Sequence, residues 1–526
     1  MGHDITCSPE STDCSRVTPD SSIEHIEPIS APRISKGVSD LFPATSSPKL
    51  LDYISHNTTD FANLAGHKVY YNNAHYKSLF VRELSDTLAR PPHIVSKQIM
   101  DGSFPMVTSG SISMPTGTEK GRFISVEIGG STIRVSIIAL DGNASFQVIN
   151  HGESIITQEV KDRSGEAFFE YLASFIINQC ILAGVNYKGS GHLRMGLTWS
   201  FPIQQISLSQ GNILAMGKGY NVCKDIQGWE LNNTFSTAFR NLGAHIEIGA
   251  ILNDTVSSLL AYKYNCPSAN TTISYVLGTG VNAAIILPSG DNTYTLYNTE
   301  LSFFGAQLPT SKWDKIVDSS NEKPGFQPLE FLAGGRYLGE ILRVVLQDLV
   351  HQGCLFSNVN QGALKAALQR PFSISTKALN DMESFRASKE DWNANDDSEF
   401  LHLLFGDVGA FTGASTNDVD VVHTLVKMLS SRSQILCALS IASLSEFISS
   451  EYSNTGKTTT LEVEVAGSGS VIQHYHGFKC SLGEYAHEFS NEGRSTKQGH
   501  LRYSINNSSD TGAIVGNAVA CCLSSA

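Results

Sequence analysis

One local pattern occurs twice in the chain and constrains the fold more than any other feature. Residues 123–140 and 273–287 each consist of an apolar run, a Gly/Ser/Thr turn and a second apolar run. That pattern predicts two strands joined by a tight loop. The first turn holds Gly129, Gly130, Ser131 and Thr132; the second holds Gly278, Thr279 and Gly280. Glycine lets a backbone approach closely, and successive turn amides form anion-binding nests, so such loops suit phosphate. Either loop alone reads equally well as a plain hairpin turn. Their duplication points to two related halves facing a nucleotide.

Size and charge narrow the classes. At 526 residues the chain exceeds one ordinary core, so two domains are expected. A formal charge of −13 argues against nucleic acid as a partner, which calls for a basic face. No apolar run reaches the roughly 18 residues of a membrane helix, so no membrane partner is expected. Met1–Asp20 is polar and lacks the apolar centre of a secretory leader. The ten cysteines form no metal-like CxxC pair. Reduced thiols and a cytoplasmic location are the expectation.

Residues 1–48 are rich in Ser, Thr, Pro and Asp and are expected to form a disordered polar tail. Helical patterning starts at Pro48 and resumes over 79–88. A three-stranded meander follows from Phe123, with Asp141-Gly142-Asn143 as its second turn. Residues 166–182 read as an amphipathic helix, 193–201 as a strand ending at Pro202, and 245–252 as a strand. The stretch 256–264 is a helix that Asp254 or Thr255 can cap. Residues 329–350 and 421–448 read as long helices and the acidic stretch 388–399 as loop. A Gly/Ser segment, 466–470, precedes a last helix over 513–523. The alternation of His474-Tyr475-His476 suggests an exposed strand edge.

Asp254 is the strongest single candidate for chemistry. It stands where an apolar strand gives way to a helix, the edge at which α/β sheets place ligands. A carboxylate there can take the proton of a hydroxyl that attacks a phosphoryl group. It can equally be a helix N-cap. Asn298, Glu300, Gln327 and Glu330 are amides and carboxylates of the kind that bind sugar hydroxyls in pairs, or that merely solvate a surface. Ser200-Phe201-Pro202 and Gly217-Lys218-Gly219 carry the same two readings.

These segments, in this order, resemble the hexokinase family from about Pro48 to the end of the chain. Glu127 to Arg134 is similar to that family's first phosphate loop. Leu197 to Pro202, with Gly211 and Lys218-Gly219, is similar to its sugar-binding signature. Leu252 to Thr255 matches the segment of the catalytic aspartate, and Leu277 to Ala283 the second phosphate loop. Asn298-Thr299-Glu300, Pro324 to Glu330 and Tyr337 to Glu340 match further segments, and Gly467 to Val471 sits at the adenosine motif. The resemblance implies an α/β fold of the actin-like ATPase type, duplicated and ribonuclease H-like, with two domains around a cleft. Residues 49–115 and 254–505 would form the large domain, and 116–253 with 506–526 the small one.

By the same resemblance Asp254 is the general base for the primary hydroxyl of a hexose. Ser200, Phe201, Pro202, Lys218, Asn253, Asn298, Glu300, Gln327 and Glu330 would line the sugar. ATP would lie against Glu127, Gly129, Gly130, Ser131, Thr132, Arg134, Gly278, Thr279, Gly280, Gly467, Ser468, Gly469 and Ser470. Magnesium would be held by phosphate and water, with Glu127 in its outer sphere.

Several positions depart from the family pattern. Glu127 replaces an aspartate, and its extra methylene shifts the carboxylate by about 1.5 Å. Misplacement of roughly 1 Å can cost on the order of 100-fold in rate. Gly217 replaces a threonine and Ser468 an aspartate. Leu301 and Ser302 stand for Trp and Gly, Ser257 for Gly, and Ser131 and Thr132 for Thr and Asn. Two functions follow. One is ATP-dependent hexose phosphorylation, a glycolytic type of reaction. The other is a catalytically impaired sugar- or nucleotide-binding regulator or sensor.

Overall fold

Apolar residues on both sides of each glycine turn pair across it as antiparallel strands. The computed structural model describes residues 37–88, 107–189, 193–217, 219–290, 293–405, 413–454, 462–492, 501–508 and 512–524. In chain order its strands are β1 (Val107–Ile112), β2 (Lys120–Ile128), β3 (Thr132–Asp141), β4 (Phe146–Ile155), β5 (Leu193–Trp199), β6 (Ile203–Ser207) and β7 (Gln210–Ile213). They continue with β8 (Ile246–Leu252), β9 (Thr271–Leu277), β10 (Val281–Pro288), β11 (Tyr294–Asn298), β12 (Glu462–Ser468) and β13 (Arg502–Asn507).

Two sheets share one plan. The five-stranded sheet runs β4-β3-β2-β5-β8, and the six-stranded sheet β1-β11-β10-β9-β12-β13. In the first, β4, β3 and β2 are antiparallel neighbours, and β5 and β8 then add in parallel. In the second, β11, β10 and β9 are antiparallel, and β12 and β13 add in parallel. The duplication read from the two loops therefore extends to strand order. β1 is an extra antiparallel edge on β11, and β6 and β7 form a separate hairpin.

Central strands are covered on both faces, which is why they read as unbroken apolar runs. On one face of the five-stranded sheet, Val126, Val135 and Leu197 pack with Phe168, Phe169 and Leu172 of the helix Gly165–Leu182 and Phe235 of the helix Leu231–Asn241. On the other face, Ile138 and Leu252 pack with Val256 and Leu260 of the helix Asp254–Asn265 and Val515 and Val519 of the helix Gly512–Leu523. Those two helices touch backbone to backbone. A β-carbon at Gly516 would overlap the Ser257 carbonyl, so only glycine permits the approach.

The structure departs from the pattern reading in five places. β5 ends at Trp199: the Ser200 amide gives the last ladder bond, to the Ile128 carbonyl at 3.1 Å, and Pro202 has no N–H to carry the ladder further. The helix expected over 329–350 is two helices, Pro328–Ala333 and Gly335–His351. The amides of Gly335 and Arg336 bond the carbonyls of Gly278 and Thr279 at 2.8 and 2.9 Å, so the second helix starts against the second glycine loop. The acidic stretch is helical from Ala394 (Ala394–Phe405), with Asp396 and Asp397 in the first turn, where the helix dipole favours them. His474 ends the helix Ser470–His474 and Tyr475 is buried against Glu383, so this segment is no strand edge. Finally, residues 37–47 are ordered: Val38–Leu41 is a 3-10 turn, and Val38 and Phe42 are buried, Phe42 against the Phe61 ring. Residues 1–36 of the expected tail lie outside the described residues.

The helix Thr416–Asn454 is long and apolar enough to cross a membrane by length and composition, and 83% of its apolar window is buried inside the fold. None of the eight cysteines among the described residues is in a disulfide.

Candidate active site

The first loop leaves β2 just after Glu127. The Gly129 amide donates to the Thr132 carbonyl at 3.0 Å, and the Ser131 carbonyl accepts from the Ile156 amide at 2.8 Å. Among the described residues the amides of Gly130 and Ser131 have no protein partner. Glu127 sits opposite Arg134 in the β2–β3 register, its carboxylate 3.6 Å from the guanidinium, which also bonds Glu153 at 3.1 Å. Burial pushes the Glu127 carboxyl above its ordinary range, Arg134 pulls it back, and the charge of Asp254 pushes it up again. The Tyr220 hydroxyl donates to the Gly129 carbonyl at 2.9 Å, and its ring packs on Phe168 and Phe201.

Three segments meet at the second loop. The Gly278 amide donates to the Gly280 carbonyl at 3.0 Å, closing the turn. Gly469, at φ +92°, lies against the Leu277 carbonyl, and Ser470 lies within about 3.6 Å of where a Gly278 β-carbon would stand. Gly467 and Ser468 end β12 beside β9, Ser468 in register with Val276. The predicted nucleotide residues of the second half thus form one cluster. The Glu330 carboxylate belongs to it as well. It accepts from the Val281 amide at 3.2 Å, and a β-carbon at Gly280 would collide with it. Burial raises the Glu330 carboxyl, opposed by the Val281 amide and by Arg336.

Asn253, not Asp254, caps the helix Asp254–Asn265: its side-chain oxygen accepts from the Thr255 amide at 2.9 Å. Asp254 is the first helical residue and is exposed. One of its oxygens takes the Thr255 amide at 2.7 Å; the other has no partner among the described residues. Its charge is felt by Glu127 on the five-stranded sheet and by Glu300 beyond β11.

Glu300 adopts left-handed backbone at φ 49°. Burial drives its carboxyl up to about 7, the Asn298 amide pulls it down, and the charges of Asp254 and Glu330 push it further up. Asn298 is buried, with its oxygen accepting from Asn282 at 2.9 Å and its nitrogen donating to Glu300 at 2.6 Å. It braces Glu300 with both ends of its amide. Asn282 also takes the Ala283 and Leu301 amides, at 2.8 and 3.2 Å. The Gln327 side chain donates to Ser302 at 3.2 Å, again from left-handed backbone. Ser200 is half-buried at the end of β5, Phe201 is packed between Trp199 and Tyr220, and the Pro202 carbonyl accepts from the Leu214 amide at 3.2 Å. Lys218 lies outside the described residues. Among the described residues, its chain neighbours aside, no atom stands within 4 Å of where a β-carbon at Gly217 would lie.

Two family models, both described as hexokinase, match the chain over residues 72–264 and 272–523. The chain belongs to the hexokinase family.

The curated relatives of this hexokinase-family chain include Hexokinase-1 of Schizosaccharomyces pombe. It is 31% identical over 58% of this chain and 62% of its own length, a little under two thirds of that protein. N-acetylglucosamine kinase 1 of Candida albicans is 26% identical over 77% of this chain and 84% of its own. Glucokinase of Aspergillus niger is 25% identical over 84% and 91%. Among solved structures, a hexokinase superposes with a TM-score of 0.72 at 21% identity, covering 91% of this chain and 100% of that one. The hexokinase of Schistosoma mansoni complexed with glucose gives 0.62 at 22%, covering 87% and 99%. The fold is the actin-like ATPase fold, and the reaction class is that of a carbohydrate kinase, a phosphotransferase acting on sugar with ATP.

Two residues bonded to the candidate site groups were not singled out from the sequence. Asn282 lies within the Leu277–Ala283 segment, and its polar side chain in the apolar strand β10 was the signal that could have picked it out. Tyr220 lies just beyond the Gly-Lys-Gly turn, where aromatic residues ordinarily mean core packing.

Proposed function

We propose that the chain phosphorylates the primary hydroxyl of a glucose-like hexose with ATP, Asp254 acting as general base. The Asp254 carboxylate takes the hydroxyl proton as the sugar oxygen bonds the γ-phosphorus. The bond from that phosphorus to the β–γ bridging oxygen breaks, and its electron pair leaves with ADP. One observation carries this reading: Asp254 is exposed at a helix start, the capping role belongs to Asn253, and its charge reaches Glu127 on the five-stranded sheet and Glu300 just beyond β11.

Ser200, the amide nitrogen of Asn253, Glu300, Gln327 and Glu330 then face the sugar, with Asn298 orienting Glu300; the family resemblance adds Lys218 to this set. Both glycine loops and the 467–470 segment face the nucleotide. Residues 49–115 and 254–505 make one lobe, 116–253 and 506–526 the other, and the site lies between them. Magnesium comes with the nucleotide phosphates. Among the described residues no cluster of three His, Cys, Asp or Glu side chains is arranged to hold a metal. Glu127, half-buried beside the first loop, fits an outer contact through water. We place the reaction in the cytoplasm, feeding glycolysis.

Purified protein with magnesium-ATP and a panel of glucose, mannose, fructose and N-acetylglucosamine tests the reading through ADP release. Turnover well above an Asp254→Ala control is expected. Turnover at the level of that control overturns it; sugar or ATP binding would then favour the sensor function.

A further inference from the structure

The last helix, Gly512–Leu523, carries one polar side chain deep in the fold. Asn517 is 0% exposed. Its nitrogen lies 3.1 Å from the Ser125 hydroxyl, 3.0 Å from the Thr198 hydroxyl and 3.4 Å from the Val126 carbonyl. Its oxygen accepts from the Ser257 hydroxyl at 2.8 Å and lies 3.2 Å from that of Thr198. Ser125, Thr198 and Ser257 are themselves fully buried. A buried polar cluster is costly unless satisfied, and a satisfied one fixes a single arrangement.

Each of these partners stands a short step from a site residue. Ser125 is two residues before Glu127 on β2, Thr198 two before Ser200 on β5, and Ser257 three after Asp254, one helical turn on. Two further approaches pin the amide. A β-carbon at Gly196 would press on the Asn517 carbonyl, and one at Gly516 would overlap the Ser257 carbonyl. Strand β5 and the Asp254 helix therefore each approach the last helix closely at a glycine, and the Asn517 amide bridges the junction.

We propose that Asn517 is a positioning residue for phosphoryl transfer, its amide fixing the relative placement of Glu127, Ser200 and Asp254. The proposal rests on the kinase reading. Transfer depends on placement, so a displacement of about 1 Å is read as rate. Substrate contacts themselves are left in place.

Steady-state kinetics on the full chain test it, with Asn517→Ala, Ser257→Ala and their double variant, each checked by thermal melt. Asn517→Ala is expected to lower kcat tenfold or more while KM for hexose and ATP moves less than threefold. The double variant should lose about as much kcat as Asn517→Ala alone, since both remove one interaction. If Asn517→Ala does not fold, Thr198→Val, which removes only a hydroxyl, takes its place in the same cycle. A folded variant with unchanged kcat, or kcat losses that simply multiply in the double variant, overturns the proposal alone. Wild-type turnover no higher than Asp254→Ala overturns the kinase reading and this proposal with it.

Discussion

The Asn298 amide nitrogen sits 2.6 Å from the Glu300 carboxylate, inside a pocket whose burial drives that carboxyl up to about 7. Folded Glu300 therefore keeps its proton up to about pH 7, while an ordinary glutamate loses it near 4.5. Between those values the folded state binds more protons than the unfolded one. Stability must fall as pH rises from about 4.5 to 7, and then level off. Glu300→Gln should remove that contribution, on the order of 1–3 kcal/mol. Urea midpoints across pH 4.5–8 check it; identical slopes in the two proteins contradict it. If Glu300 accepts from a sugar hydroxyl, KM for hexose should also rise below pH 7.

Capping and chemistry fall on neighbouring residues, so they separate by mutation. Asp254→Ala should lower kcat by about 10²–10⁴-fold and leave the melting temperature nearly unchanged. Asn253→Ala should cost about 0.5–2 kcal/mol of stability, the usual price of a lost N-cap. Paired melts and ADP-release assays distinguish the two.

Gly217 has open space where a side chain would go, and Glu127 holds its carboxylate one methylene beyond the family's aspartate. Gly217→Thr should fold with stability within about 0.5 kcal/mol of wild type. Combined with Glu127→Asp it should raise kcat/KM on the order of 10- to 100-fold. A flat response from the double variant would mean that these two departures do not limit the rate.

Gly280→Ala brings a methyl group into the Glu330 carboxylate. A cost of about 1–3 kcal/mol is expected, with a loss of turnover as Glu330 leaves the Val281 amide. Gly217→Ala is the matched control and should be neutral. Denaturation curves and kinetics on the two variants supply the comparison.

Removing the Tyr220 hydroxyl with Tyr220→Phe deletes its bond to the Gly129 carbonyl. A stability loss of about 0.5–1.5 kcal/mol and a several-fold rise in KM for ATP are expected, with KM for hexose little changed. An unchanged KM for ATP would detach Tyr220 from the nucleotide loop.

Local pattern carried much of the plan: both hairpins, the strand leading to Asp254, and the helices at 48–56 and 165–182 follow from periodicity and turn residues. It failed where a distant contact outweighed local preference. Gly334 splits a continuous apolar run because the next helix docks its amides on the second loop. The acidic stretch became helix because Asp396 accepts from the Asn393 amide and Asp397 from the Trp392 indole, a use of charge that composition does not reveal.

For this chain the amino-acid order alone determined the kinds of element, the two glycine turns and the identity of the acidic residue at 254, because each depends on neighbours within a few positions. Only the tertiary structure decided that Asp254 stands exposed, that Asn298 is buried and bonded to Asn282, and that Asn517 joins β2, β5 and the Asp254 helix. Burial, hydrogen-bond partners and the field of remote charges are set by residues up to hundreds of positions apart, and no local pattern encodes them.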